Sequence, residues 1–120
     1  MKTLVILFVS TFLFQAWTKL GDVTVSSKFD NESIILSGNE NCKTIRLKAI
    51  NDAIQISGLD FYYQSGDVQN LTKKMTIDKG AESETIPLKP GQKLKKIVFY
   101  YKLFPGKENE DVLIELYGTK

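Results

Sequence analysis

The sequence contains no histidine, which removes the imidazole on which Ser-His and Cys-His nucleophilic catalysis depend, and with it the usual zinc sites. Its single cysteine, Cys42, has no second thiol to pair with inside the chain. Stability therefore has to come from packing, and the plain reading of Cys42 is a small apolar residue rather than a reactive thiol. No Gly-x-x-x-x-Gly-Lys loop for phosphates occurs. An excess of charge of one sign is missing as well: 16 Lys and Arg against 14 Asp and Glu give a formal net charge of +2, or about +1 once Lys2 leaves with a cleaved leader. A chain so close to neutrality implies no nucleic-acid partner. Helical spacing of apolar residues is also absent beyond the first residues, which turns attention to strands.

What is present fits one domain. The 120 residues are 42% hydrophobic, 25% charged and 11% aromatic, enough for one core and too apolar for a disordered chain. The start places Lys2 ahead of an uncharged, mostly apolar run from Leu4 to Ala16, the layout of a secretory signal. That run is shorter than the ~20 residues a spanning helix needs, so the mature protein is expected to carry no transmembrane helix. Cutting after Ala16 puts a small residue at the last position but bulky Phe14 two before it, which leaves the cut site open. No cysteine follows the run closely, so nothing points to a lipid anchor. Residues 1–16 read as leader and 17–120 as a single domain, secreted or periplasmic.

Within the domain, apolar residues recur at every second position and break at Gly, Pro, Asn and Asp clusters, the rhythm of strands and turns. Val23, Val25 and Phe29 fit a first strand, and "DNES" at Asp30 to Ser33 a turn into Ile34 to Leu36. "SGNEN" at Ser37 to Asn41 reads as the next turn, followed by Ile45, Leu47 and Ala49 alternating with Arg46 and Lys48. Ile54 and Ile56 then hold even register, whereas Leu59, Phe61 and Tyr63 hold odd register. A slip of one residue turns every later side chain to the wrong face, so the sequence predicts a β-bulge at Ser57-Gly58. Val68 to Ile77 reads as one strand, Thr85 to Leu88 as a short one, Leu94 to Phe104 as a long one, and Val112 to Leu116 begins the last. About eight short strands with closely spaced turns predict an all-β, antiparallel β-sandwich.

Two Phe-Tyr-Tyr triplets, Phe61 to Tyr63 and Phe99 to Tyr101, stand out. Their outer residues share parity with Leu59 and Ile97 and are assigned to the core, so the middle residues, Tyr62 and Tyr100, are expected on the opposite face.

"WTKLG" at Trp17 to Gly21, "DNESII", "IRLKA", "LDFYYQSG", "KKIVFYY" and the terminal "LIELYG" resemble small exported bacterial proteins classed as a domain of unknown function. That family's pattern is a Trp-x-x-Leu-Gly start, an Asp-rich turn, a Tyr followed shortly by a turn such as Asn-Gly, and a closing Leu-aromatic-Gly. Here "QSG" stands where Asn-Gly is frequent, and Tyr117 where Trp is frequent. The resemblance covers nearly all of the chain after the leader. It implies a secreted or periplasmic β-rich domain and transfers no catalytic residues, cofactor or ligand.

Of the remaining chemistry, carboxylate pairs among Asp52, Asp60, Glu82, Glu84, Glu108, Glu110 and Asp111 fall mostly in turns, without apolar company on a common strand face to raise one pKa. No enzyme activity and no cofactor are expected. Asp30, Asn31 and Glu32 in one turn, with Asn39, Glu40 and Asn41 in the next, offer oxygen ligands for calcium, but tight turns favour the same residues, and no metal is assigned. Asn31 and Asn70 head glycosylation triplets, a pattern common by chance. The most uneven feature is a stretch free of acids between Glu84 and Glu108 that holds Lys89, Lys93, Lys95, Lys96, Lys102 and Lys107. An outward Tyr100 beside such lysines suits an anionic glycan, a lipid head group or another envelope surface. Lysines guarding an edge strand are the plainer explanation. The expectation is a non-catalytic binding module for a protein or cell-envelope surface, with a carbohydrate-binding module as the alternative; Tyr62, Tyr100, Lys96 and Lys102 are the candidate ligand-binding residues.

Overall fold

The computed structural model describes residues 17–36, 41–107 and 109–119; the expected leader and most of the Ser37 to Asn41 turn lie outside them. The described strands are β1 (Thr18–Val25), β2 (Asn31–Ile35), β3 (Thr44–Ala49), β4 (Ile54–Tyr63), β5 (Val68–Leu71), β6 (Met75–Ile77), β7 (Ile86–Pro87), β8 (Leu94–Lys102) and β9 (Val112–Thr119). They form two antiparallel sheets: the first in the order β1-β9-β3-β7, the second in the order β2-β8-β4-β5, with β6 also on β4. The architecture is the all-β antiparallel sandwich expected, with nine described strands in place of about eight.

The chain passes from sheet to sheet at almost every turn, and only β4, β5 and β6 follow one another within a sheet. Alternation then places every second residue between the layers. Ile45, Leu47, Val112, Ile114 and Leu116 from the first sheet meet Ile54, Leu59, Phe61, Ile97 and Phe99 from the second, all buried. Phe99 and Tyr101 stack obliquely with ring centroids 5.8 Å apart. The core tyrosines keep their hydroxyls satisfied, as burial requires. Tyr63 donates to Gln69 Oε1 at 2.6 Å and accepts the Lys89 N–H at 3.0 Å, and Tyr101 donates to the Ser26 carbonyl at 2.6 Å. Burial pushes both phenols upward from their ordinary value.

The bulge forms where the parity shift requires it. On β8, Tyr101 pairs with Ile56 and Tyr100 with Gly58, so Ser57 is the extra residue. Its consequence reaches the neighbouring strand: Val68 to Ile77 is two strands, β5 opposite Leu59 to Tyr62 and β6 opposite Ile54 to Ile56. The gap at 72–74 lies across from the bulge, with three residues opposite Ser57 and Gly58 between the Leu59–Leu71 and Ile56–Met75 pairs. The β4–β5 hairpin closes on Gly66, whose φ of 97° is open to glycine at no steric cost.

Two expectations need correction. Phe29 does not extend the first strand; β1 ends at Val25, and Phe29 follows a turn with 64% of its surface exposed. Asn31 to Ser33 are not a turn but the start of β2, because the reversal is made earlier, at Ser26 to Asp30. A strand there sends Asn31 and Glu32 to opposite faces, so the oxygens of Asp30, Asn31 and Glu32 do not converge as a calcium loop needs. Asn39 and Glu40, the other half of that idea, lie outside the described residues.

Candidate functional site

The outward face of the second sheet is laid down by the same alternation that fills the core. Between the buried residues of β8 and β4 stand Lys96, Val98, Tyr100 and Lys102 on one strand, and Tyr62, Asp60 and Gln55 on the other. Cross-strand pairing arranges them in rows. The first row is Ile35, Lys96, Tyr62 and Val68; the second is Ser33, Val98, Asp60 and Asn70; the third is Asn31, Tyr100 and Gly58. A fourth row, below the bulge, is Lys102, Gln55 and Thr76.

Within the first row the Lys96 ammonium lies 4.6 Å from the centre of the Tyr62 ring, a cation-π contact. Ile35, 74% exposed, and Val68 flank the pair. A depression of about 280 Å³ opens there, lined by Ile35, Tyr62, Lys95 and Lys96 among others. In the second and third rows Asp60 is the hub: it accepts the Tyr100 hydroxyl at 2.9 Å on one oxygen and the Asn70 amide at 2.7 Å on the other. The hydrogen bond to Asp60, and then its negative charge, push the Tyr100 phenol upward from its ordinary value, because ionising it would set two anions side by side. Tyr100 lies over Gly58, the small residue beside the bulge: a Cβ built on Gly58 would meet its ring at 3.8 Å.

All four sequence-expected residues therefore face outward on one sheet, though not as one cluster. Tyr62 and Lys96 touch. Tyr100 is four residues from Lys96 along β8, about 13 Å at strand rise, with the Asp60 row between it and Tyr62. The two rings are separate ledges rather than a single stacking platform. Lys102 stands one row further. Ile35, Val68 and Gln55 belong to the same face; counting along β4 across the bulge reaches Gln55, whereas Ile35 and Val68 are brought there by non-local pairing.

The edge-strand explanation of the lysines fails. β8 lies inside the sheet with β2 on one side and β4 on the other, so Lys96 and Lys102 guard no edge. The acid-free run also divides in space. Lys89 reaches Asp67 at 3.7 Å and Lys107 reaches Asp52 at 3.2 Å, whereas Lys95, Lys96 and Lys102 take part in no ion pair among the described residues.

Of the candidate carboxylates, Asp52 and Glu110 do meet, in the loops around Lys107. A hydrogen bond with Glu110, the Ala53 N–H at 2.8 Å and the Lys107 ammonium hold Asp52 below its ordinary carboxylate value. Among the described residues no group of three or more metal-ligating acids or thiols gathers, and no helix is long and apolar enough to cross a membrane.

The model of one protein family, described as Domain of unknown function (DUF2541), matches residues 1–118. None of the curated proteins matches the chain.

Proposed function

The chain belongs to the DUF2541 family, and from its own chemistry we propose that it is an exported, non-catalytic module that binds a protein or cell-envelope surface with the outer face of its second sheet. The observation that carries this reading is where the exposed apolar side chains fall. Ile35, Val68 and Tyr100 share the face with Tyr62 and Lys96, and Phe29 stands at its Lys102 end. Exposed apolar groups gathered on one face, rimmed by polar ones, are what an interaction surface supplies. Export, to the periplasm or beyond, rests on Lys2 and the apolar run to Ala16. The non-catalytic reading rests on the lack of histidine and on Asp52, an acid held ionised where a general acid needs a raised pKa. A carbohydrate-binding role is the second reading, favoured by two tyrosine rings facing outward on one sheet with Asp60 and Asn70 between them.

The test is binding of the purified protein to arrayed polysaccharides, anionic vesicles and envelope proteins, beside a Tyr62→Ala, Tyr100→Ala double variant. Binding to any of these that the variant loses supports the face. Binding that the variant retains in full places the site elsewhere and sinks the reading.

A further inference from the structure

The Lys102 end of this face holds a second hollow, of about 570 Å³. Its outward row is Thr76, Gln55 and Lys102, paired directly across three strands, with Ser57 from the bulge and Lys74 from the gap beside it. The lining therefore offers two ammonium groups, the hydroxyls of Ser57 and Thr76, an amide and no carboxylate, while the hydroxyl of Tyr101, also in the lining, is committed to the Ser26 carbonyl. Elsewhere in the described chain four lysines find acids: Lys19 pairs with Asp22 and Glu115, Lys73 with Glu84, Lys89 with Asp67 and Lys107 with Asp52. Among the described residues, Lys74 and Lys102 have no such partner, although Lys73, the neighbour of Lys74, does. Bringing two cations to one hollow without an acid raises the local potential, which an incoming anion relieves. The bulge on β4 and the gap between β5 and β6 meet at this spot, and bulges commonly re-aim side chains at binding sites.

Resting on the binding-face reading above, we propose that this hollow is an anion subsite and that the ligand of the face is an acidic polysaccharide. Lys102 lies six residues from Lys96 on β8, about 20 Å away at strand rise. A polymer with repeating acid groups reaches both cationic ends, whereas one small anion reaches only one. Between the ends, Asp60, Asn70, Ser57 and Gln55 present the donors and acceptors that sugar hydroxyls use, and the rings of Tyr62 and Tyr100 offer flat apolar faces. At each cationic end a carboxylate, sulfate or phosphate accepts charge-assisted hydrogen bonds from an ammonium.

The experiment titrates the protein into labelled polygalacturonate, heparin, polyphosphate, neutral dextran and phosphatidylserine vesicles, reading anisotropy or co-sedimentation. Polygalacturonate, heparin and polyphosphate separate the carboxylate, sulfate and phosphate sources. The expected result is binding to polygalacturonate or heparin and not to dextran. The Lys74→Gln, Lys102→Gln double variant then binds roughly tenfold more weakly, two exposed ion pairs being lost. Lys48→Gln, on the opposite sheet, leaves affinity unchanged. Equal affinity of the lysine double variant overturns the subsite even if the tyrosine variant fails to bind, in which case the face itself stands. Preference for dextran, polyphosphate or vesicles, or no binding to any polysaccharide, overturns the polysaccharide, and in the last case the protein arm of the earlier test still decides the face.

Discussion

The two sheets turn very different outer surfaces to solvent, although both are built on the same buried layer. On the first sheet several outward charges are paired, although Lys48 has no acid within ion-pair distance among the described residues. Lys19 reaches Asp22 at 2.8 Å and Glu115 at 3.0 Å, Tyr117 donates to Glu115 at 2.8 Å, and Arg46 lies 4.4 Å over the Trp17 ring while bonding Thr85 and Glu82. On the second sheet Ile35 and Val68 are bare, and Lys95 and Lys102 have no acid partner among the described residues. A surface whose charges are already paired has little left to offer a ligand, whereas unpaired cations beside exposed apolar groups retain it. The proposed division, structure-keeping on one face and recognition on the other, rests on this difference.

The sharpest way to test that division within the second sheet is to compare neighbours on β8. Phe99 is fully buried and Tyr100, the next residue, faces outward. Phe99→Ala is expected to cost about 3–5 kcal/mol in urea unfolding, while Tyr100→Ala leaves the unfolding midpoint nearly in place and acts on binding. Similar midpoints for the two variants would contradict the assigned register.

A smaller effect is expected at Gly118 of the first sheet. A Cβ at Gly118 would lie 2.8 Å from Leu20 Cδ1 and 2.9 Å from Cys42 Sγ, so Gly118→Ala should destabilise by roughly 1–3 kcal/mol through overpacking. Gly58→Ala, whose Cβ meets nothing closer than 3.4 Å, should cost less in the same unfolding assay. The reverse order would mean that the first sheet is the looser of the two.

The faces should also answer to opposite ends of the pH scale. Hydrogen bonds from Lys19 and then Tyr117 lower the Glu115 carboxyl from its ordinary 4.5. The unfolded chain then binds that proton first, so stability from this network is present above about pH 4.5 and is lost as pH falls through the lower folded value. Lys19→Met should move the Glu115 titration, followed by carboxyl NMR shifts, back toward 4.5. On the second sheet the Tyr100 phenol is raised from 10.0 by the hydrogen bond to Asp60 and its charge. Its contribution is complete below pH 10.0 and is lost as pH rises through the folded value. Asp60→Asn should bring the phenolate absorbance transition of Tyr100 down toward 10.0, and an unmoved transition would remove Asp60 as its cause.

The smallest expected effect is that of Ile35→Lys. With 74% of Ile35 already exposed, unfolding should change by no more than about 0.5 kcal/mol. A larger loss would show that Ile35 supports the fold instead of standing ready for a ligand.

Much of the face was readable from the sequence, because parity along a strand is a local property. The inward Phe61, Tyr63, Phe99 and Tyr101, the outward Tyr62 and Tyr100, and the bulge at Ser57 all follow from counting by two. What escaped was non-local. Whether β8 is an edge depends on which strands flank it, and no property of Lys93 to Lys102 encodes that β2 and β4 do. The break at 72–74 shows only in the pairing, where three residues stand opposite Ser57 and Gly58, and for the same reason the placing of Lys74 and Lys102 on one hollow was hidden. Phe29 was misplaced because an apolar residue at even spacing after Val25 imitates strand alternation while the turn at Ser26 to Asp30 has already begun.

The most direct test of the division between the faces is amide chemical-shift mapping of the protein on addition of polygalacturonate and heparin. The perturbed amides are expected to follow Tyr62, Lys96, Tyr100 and Lys102 along β4 and β8, leaving β1, β3 and β9 undisturbed. Perturbations centred on Lys19, Arg46 and Glu115 would contradict that division.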